Sequence, residues 1–172
     1  MNQPFTTLQR RLRLLLPLVL AVFASLTASA ATVSVTVDDI KYTIDTTTGE
    51  ASVAIQSESL RKSNLVIPDY ITYNGVNYPV TTIKNYAFSG CSGLTGELTI
   101  GNSVTTIGKY AFSRCSGLTG SLTISNSVTT IGEYAFKSCS GLTGSLTIGN
   151  SVTTIGNNAF QDCSGLTGSL TI

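Results

Sequence analysis

GNSVTTIGKYAFSRCSGLTGSLTI at 101–124 is followed by SNSVTTIGEYAFKSCSGLTGSLTI at 125–148 and GNSVTTIGNNAFQDCSGLTGSLTI at 149–172. Three 24-residue copies in unbroken register decide the fold, because self-similarity at a fixed period of this length marks a repeat architecture. Cys91, Cys115, Cys139 and Cys163 keep the same 24-residue step. A less regular copy covers 65–100, where Ile67 to Val80 takes 13 steps and Ile124 to Val128 takes 4, an insertion of nine residues.

Each copy carries a fixed apolar set, in the second full copy Val128, Ile131, Ala135, Phe136, Cys139, Leu142, Leu146 and Ile148. Leu146 and Ile148 alternate with Ser145 and Thr147, the period of a half-buried strand. Val128 and Ile131 stand three apart, so the chain bends or bulges between two inward side chains. Asn102, Asn126 and Asn150 occupy the turn between these strands, beside Gly or Ser. The AFxxC stretch is too short for a helix and reads as one helical turn or coil. One copy alone buries too little to order its backbone, so neighbours must share a core. The prediction is a right-handed repeat solenoid, mainly β, with short parallel strands linked by coil or single helical turns.

The SVTTIGxxAFxxCSGL core resembles the BspA-like branch of bacterial leucine-rich repeats, and the match recurs in register over about 65–172. Thr-Gly-Ser-Leu-Thr-Ile is one residue longer than the usual link into the strand. The resemblance implies cell-surface or secreted proteins, several of them adhesins for host matrix proteins or other cells. It brings no catalytic residues.

Ahead of the array, Arg10, Arg11 and Arg13 precede an apolar stretch from Leu14 to Leu26, and Ala28-Ser29-Ala30 forms an A-x-A site. A basic start, a short apolar core and a small-residue exit make a secretory leader over 1–30. The core falls short of the roughly 20 residues a spanning helix needs, so no transmembrane span remains after cleavage. Cleavage changes ten basic and nine acidic groups to seven and nine, a net charge of −2. That balance makes no electrostatic case for nucleic acid. Residues 31–64 do not repeat. Val33, Val35 and Val37, then Ile40, Tyr42 and Ile44, then Ala51, Val53 and Ile55 alternate with polar residues. They read as antiparallel strands capping the first rung. The irregular repeat at 65–100 carries an inserted hairpin, since Asn74-Gly75 favours a type I′ turn.

The 172 residues contain no His, which excludes imidazole-based triads and metal sites, and the few carboxylates are scattered. No cofactor or metal site is expected, and nothing visible is catalytic. The stacked cysteines have parallel Cβ vectors about 4.8 Å apart, a poor disulfide geometry, so buried free thiols are expected. Positions that vary between copies flank the AF pair and should face solvent. Tyr86, Lys109, Tyr110, Arg114, Glu133, Tyr134 and Lys137 are the candidate ligand-binding residues, Tyr with mixed charge being a composition enriched at recognition hot spots. A solvated edge with ion pairs, Glu133 to Lys137 or Lys109, explains the same residues structurally. The hydroxyl ladder of Thr99, Thr123, Thr147 and Thr171 beside Ser121, Ser145 and Ser169 is accounted for by sheet stability.

The functional expectation is an exported surface protein binding a protein or glycan ligand, host matrix among them. The alternatives are a structural stalk or spacer of the cell envelope and an accessory segment of an enzyme. Leu166, Leu170 and Ile172 match inward positions of earlier copies, so the sequence also predicts a truncated array or self-association through an uncapped C-terminal end.

Overall fold

The computed structural model describes residues 31–172. The expected leader at 1–30 lies outside them. The chain opens with three antiparallel strands, β1 (Thr32–Val37), β2 (Ile40–Asp45) and β3 (Glu50–Val53). Next come β4 (Lys62–Ile67) and the hairpin β5 (Tyr70–Tyr73) with β6 (Val76–Ile83), closed at Asn74-Gly75 as the sequence predicts. After β7 (Leu94–Ile100), each copy supplies one two-residue strand and one longer or equally short strand. These are β8 (Thr106–Ile107), β9 (Gly120–Ile124), β10 (Thr130–Ile131), β11 (Leu142–Ile148), β12 (Thr154–Ile155) and β13 (Leu170–Thr171). Among the described residues there is no helix.

Copies stack as rungs with equivalent residues in register. Ile83, Ile107, Ile131 and Ile155 pair along one parallel ladder, and Leu122, Leu146 and Leu170 along another. The first ladder continues without a break into the cap, giving the order β1-β2-β3-β6-β8-β10-β12, with β5 attached to β6. The other side is built of β4-β7 and β9-β11-β13, bridged at Gly96 and Leu118. The Thr-Gly-Ser-Leu-Thr-Ile link departs from regular pairing, with a register shift between Leu142 and Leu146 where β11 pairs with β9.

Two expectations for the cap need correction. Ile55 does not continue the inward row of Ala51 and Val53 but is 61% exposed. Gln56 turns inward instead: its amide donates to the carbonyls of Lys41 and Ala54 and accepts from the Lys41 N–H. A buried amide with these bonds satisfied closes the bottom of the stack, where an apolar residue would orphan the Lys41 N–H. The boundary at 64/65 also falls inside a strand. β3 pairs in parallel with β6, and β4 starts at Lys62 and pairs in parallel with β7, so residues 50–67 form a degenerate first rung.

One apolar core runs through all rungs. In the first full copy Val104, Ile107, Ala111, Phe112, Cys115, Leu118, Leu122 and Ile124 are all buried, the set the sequence marks. Phe88, Phe112, Phe136 and Phe160 stack with centroids 5.1–5.4 Å apart. Glycine lets the rungs close on each other: a Cβ on Gly108 would stand 2.6 Å from the backbone nitrogen of Asn85. At the last rung Ile155, Leu170 and Ile172 are exposed.

Candidate functional site

The candidate residues fall in the AF corner of each copy, and that corner is a pair of tight turns. The Ala N–H donates to the Gly carbonyl three residues back, as Ala111 does to Gly108, and the Cys N–H likewise to the Phe carbonyl. Closing two turns so tightly forces a left-handed residue into each. In the first turn these are Tyr86, Tyr110, Tyr134 and Asn158, with φ between 55° and 60°. In the second they are Gly90, Arg114, Ser138 and Asp162, with φ between 57° and 77°. The remaining backbone groups of the corner bond between rungs. Tyr110 N–H donates to Glu133, Phe112 N–H to Ala135, and Arg114 N–H to Lys137, at 2.7–3.0 Å.

Left-handed backbone projects the tyrosines outward, one above another. Tyr86 and Tyr110 stack with centroids 5.1 Å apart, and Tyr110 and Tyr134 at 4.8 Å, with planes within 14°. Lys109 Nζ lies 5.4 Å from the Tyr110 centroid, and Lys137 Nζ lies 5.0 Å from that of Tyr134. Lys109 forms an ion pair with Glu133, so of the two expected pairings this one is made, while Lys137 covers a ring. Donating a hydrogen bond to Glu133 holds the Lys109 ammonium above the usual lysine range, with attraction to the carboxylate adding to it. Arg114 is exposed, and its backbone is joined to Lys137 on the next rung. The structure therefore brings all seven candidate residues onto one edge spanning three rungs.

Comparison with known proteins follows from this architecture. The model of the BspA type leucine rich repeat region matches residues 54–172 in six copies. The chain belongs to the BspA-type leucine-rich-repeat family. It is similar to the crystal structure of a leucine-rich repeat protein from Bacteroides capillosus, with 34% identity and a TM-score of 0.67 over 80% of this chain and 97% of that one. A leucine-rich repeat protein from Bacteroides ovatus aligns with 28% identity and a TM-score of 0.52, over 80% of this chain and 41% of that one. No curated protein matches by sequence.

The BspA-type repeat also explains its cysteines. All four are free. Each thiol donates to a carbonyl of the rung before it: Cys115 to Phe88, Cys139 to Phe112 and Cys163 to Phe136 at 3.0–3.1 Å, and Cys91 to Ser57 at 3.4 Å. The Phe carbonyl thus accepts from its own turn and from the next rung. Burial pushes the Cys139 thiol up to about 12 and raises Cys115 as well, with the neighbouring thiols adding to it. Neither supplies a thiolate nucleophile near neutral pH. Among the described residues no three acidic, Cys or His groups converge on a metal site.

Sequence reasoning missed the left-handed geometry of the edge, although Gly90, Asn158 and Asp162 in those columns were its trace. It also missed a shallow groove of about 400 Å³ lined by Ile55, Thr82, Lys84, Asn85 and Thr106, beside the Asn85 column. That groove needs Ile55 turned outward, which the strand alternation did not foresee.

Proposed function

We propose that this protein is an exported surface-binding module that recognises a protein or glycan ligand through the tyrosine edge. Tyr86, Tyr110 and Tyr134 form its centre, with Lys109, Arg114, Glu133 and Lys137 around them. One observation carries the reading. A left-handed residue other than Gly or Asn costs roughly 1–2 kcal/mol, so three tyrosines together cost about 3–6. Two stacked ring pairs return only about 0.5–1.5 kcal/mol each. Asn158 holds the same backbone in the last copy, so the fold does not require an aromatic there. Strained backbone kept at aromatic positions on the surface, exposed at Tyr86 and half-buried at Tyr110 and Tyr134, supports a site rather than a scaffold. Export rests on the basic start, short apolar stretch and A-x-A site ahead of the first strand.

The test is binding of the purified protein to arrays of host matrix proteins, mucins and glycans. Saturable binding should fall at least tenfold in a Tyr110→Asn/Tyr134→Asn double variant, whose backbone is suited to the turn. Thr106→Val/Thr130→Val, on the strand face, should leave it unchanged. Loss in the threonine variant alone would move the site to that face. No binding to any array would favour the spacer.

A further inference from the structure

We infer that the ligand of the tyrosine edge is an acidic polysaccharide, a linear glycan bearing sulfate or carboxylate groups; this rests on the binding reading above. The first observation is where the charges lie. Residues 31–80 hold three basic and six acidic groups, whereas 81–172 hold four and three. All four of those cations, Lys84, Lys109, Arg114 and Lys137, stand at or beside the AF edge, with Glu133 and Asp162 as carboxylates of the copies and Glu58 of the degenerate rung lying against Gly90. An edge of net +1, four cations against three carboxylates, on a chain of net −2 after residue 30 is a local reversal of sign. Glu133 is engaged by Lys109, and among the described residues Lys84, Arg114 and Lys137 have no carboxylate ion-pair partner. A ligand that carries several negative charges along a line meets cations on successive rungs.

The second observation excludes strand addition by a peptide. Along this edge the backbone N–H groups of Tyr86, Phe88, Gly90, Tyr110, Phe112 and Arg114 are all bonded to the next rung. No row of free backbone groups is offered, so main-chain pairing of the kind that captures extended peptides has no template here. Recognition must come from side chains: tyrosine hydroxyls, ammonium and guanidinium groups, and ring surfaces, of which Tyr86 is 46% exposed. Those groups suit a polymer that presents its own hydroxyls and anionic substituents. Arg114 holds a left-handed position that Gly90 and Asp162 fill elsewhere, so its guanidinium too is kept at a conformational cost.

Affinity electrophoresis and calorimetry of the full chain with dextran sulfate and polygalacturonate, against uncharged dextran and polyglutamate, decide it. Binding should appear with one or both acidic polysaccharides, be absent with dextran, and weaken at least tenfold on raising salt from about 0.05 to 0.5 M, where screening becomes nearly complete. Which of the two binds separates sulfate from carboxylate recognition. Arg114→Asn/Lys137→Gln should weaken it at least tenfold, whereas Lys41→Gln/Lys62→Gln, removing the same charge elsewhere, should change it less than twofold. Equal binding to dextran, or polyglutamate bound as tightly as the glycans, would overturn the assignment. So would equal loss in the two double variants. If tyrosine-dependent binding to a neutral glycan or a matrix protein is found on the arrays while both acidic glycans fail, this ligand class falls and the binding reading stands.

Discussion

Alkaline pH should remove stability from this fold through its buried thiols, and Cys139 isolates the effect. Its side chain is fully buried and donates to the Phe112 carbonyl at 3.0 Å, which it can do only while protonated. Desolvation raises its pKa from 9.0 to about 12 in the folded state. The contribution is therefore complete below pH 9 and is lost as pH rises toward 12. At pH 11 the unfolded thiol is almost fully ionised and the folded one is not, a loss of about 3 kcal/mol. Tyr42, also raised to about 12 by burial, acts in the same direction, so the comparison must be with a Cys139→Ala variant in which Tyr42 is unchanged. Removing the sulfur and its hydrogen bond should cost roughly 1–3 kcal/mol at pH 7. Urea unfolding of both proteins at pH 7, 9, 10 and 11 should show that gap shrinking to nothing or reversing by pH 11. A gap that stays constant would refute the buried, protonated thiol ladder.

Titration with a thiol reagent should find few reactive cysteines in the native protein and four in denaturant. Gly108→Ala places a Cβ against the Asn85 backbone and should destabilise by about 1–3 kcal/mol in urea melts. Gln56→Ala should cost about 1–3 kcal/mol by leaving the Lys41 N–H unpaired, the Lys41 carbonyl keeping its bond from the Ala54 N–H, whereas Ile55→Ser, at an exposed position, should stay within about 0.5 kcal/mol of the parent. Tyr110→Asn/Tyr134→Asn should melt above Tyr110→Ala/Tyr134→Ala, because both lose the stacks and only asparagine suits a φ near 55°.

The solenoid was legible because the 24-residue period repeats every inward position, and Val104, Ile107, Phe112 and Leu118 needed no further information to be placed inside. The cap was less so. Alternation in Ala51, Val53 and Ile55 is a local signal, and a tertiary demand overrode it: the Lys41 backbone needed a partner, and Gln56 supplied one. The degenerate rung at 50–67 shares almost no residues with the copies, so only strand pairing reveals it. For the edge, comparing copies picked out the variable columns but gave no backbone angles. The stacking of Tyr86, Tyr110 and Tyr134 depends on those angles, as does the choice of Lys109 over Lys137 as the partner of Glu133.

Tyrosine-selective labelling read by mass spectrometry, with and without a ligand bound to the full chain, tests the recognition edge most directly. Tyr86, Tyr110 and Tyr134 should be protected together by the ligand, while Tyr70, exposed on the hairpin, keeps its labelling rate. Protection of Tyr70 with the three stacked tyrosines unchanged would contradict the assignment of the AF edge as the binding face.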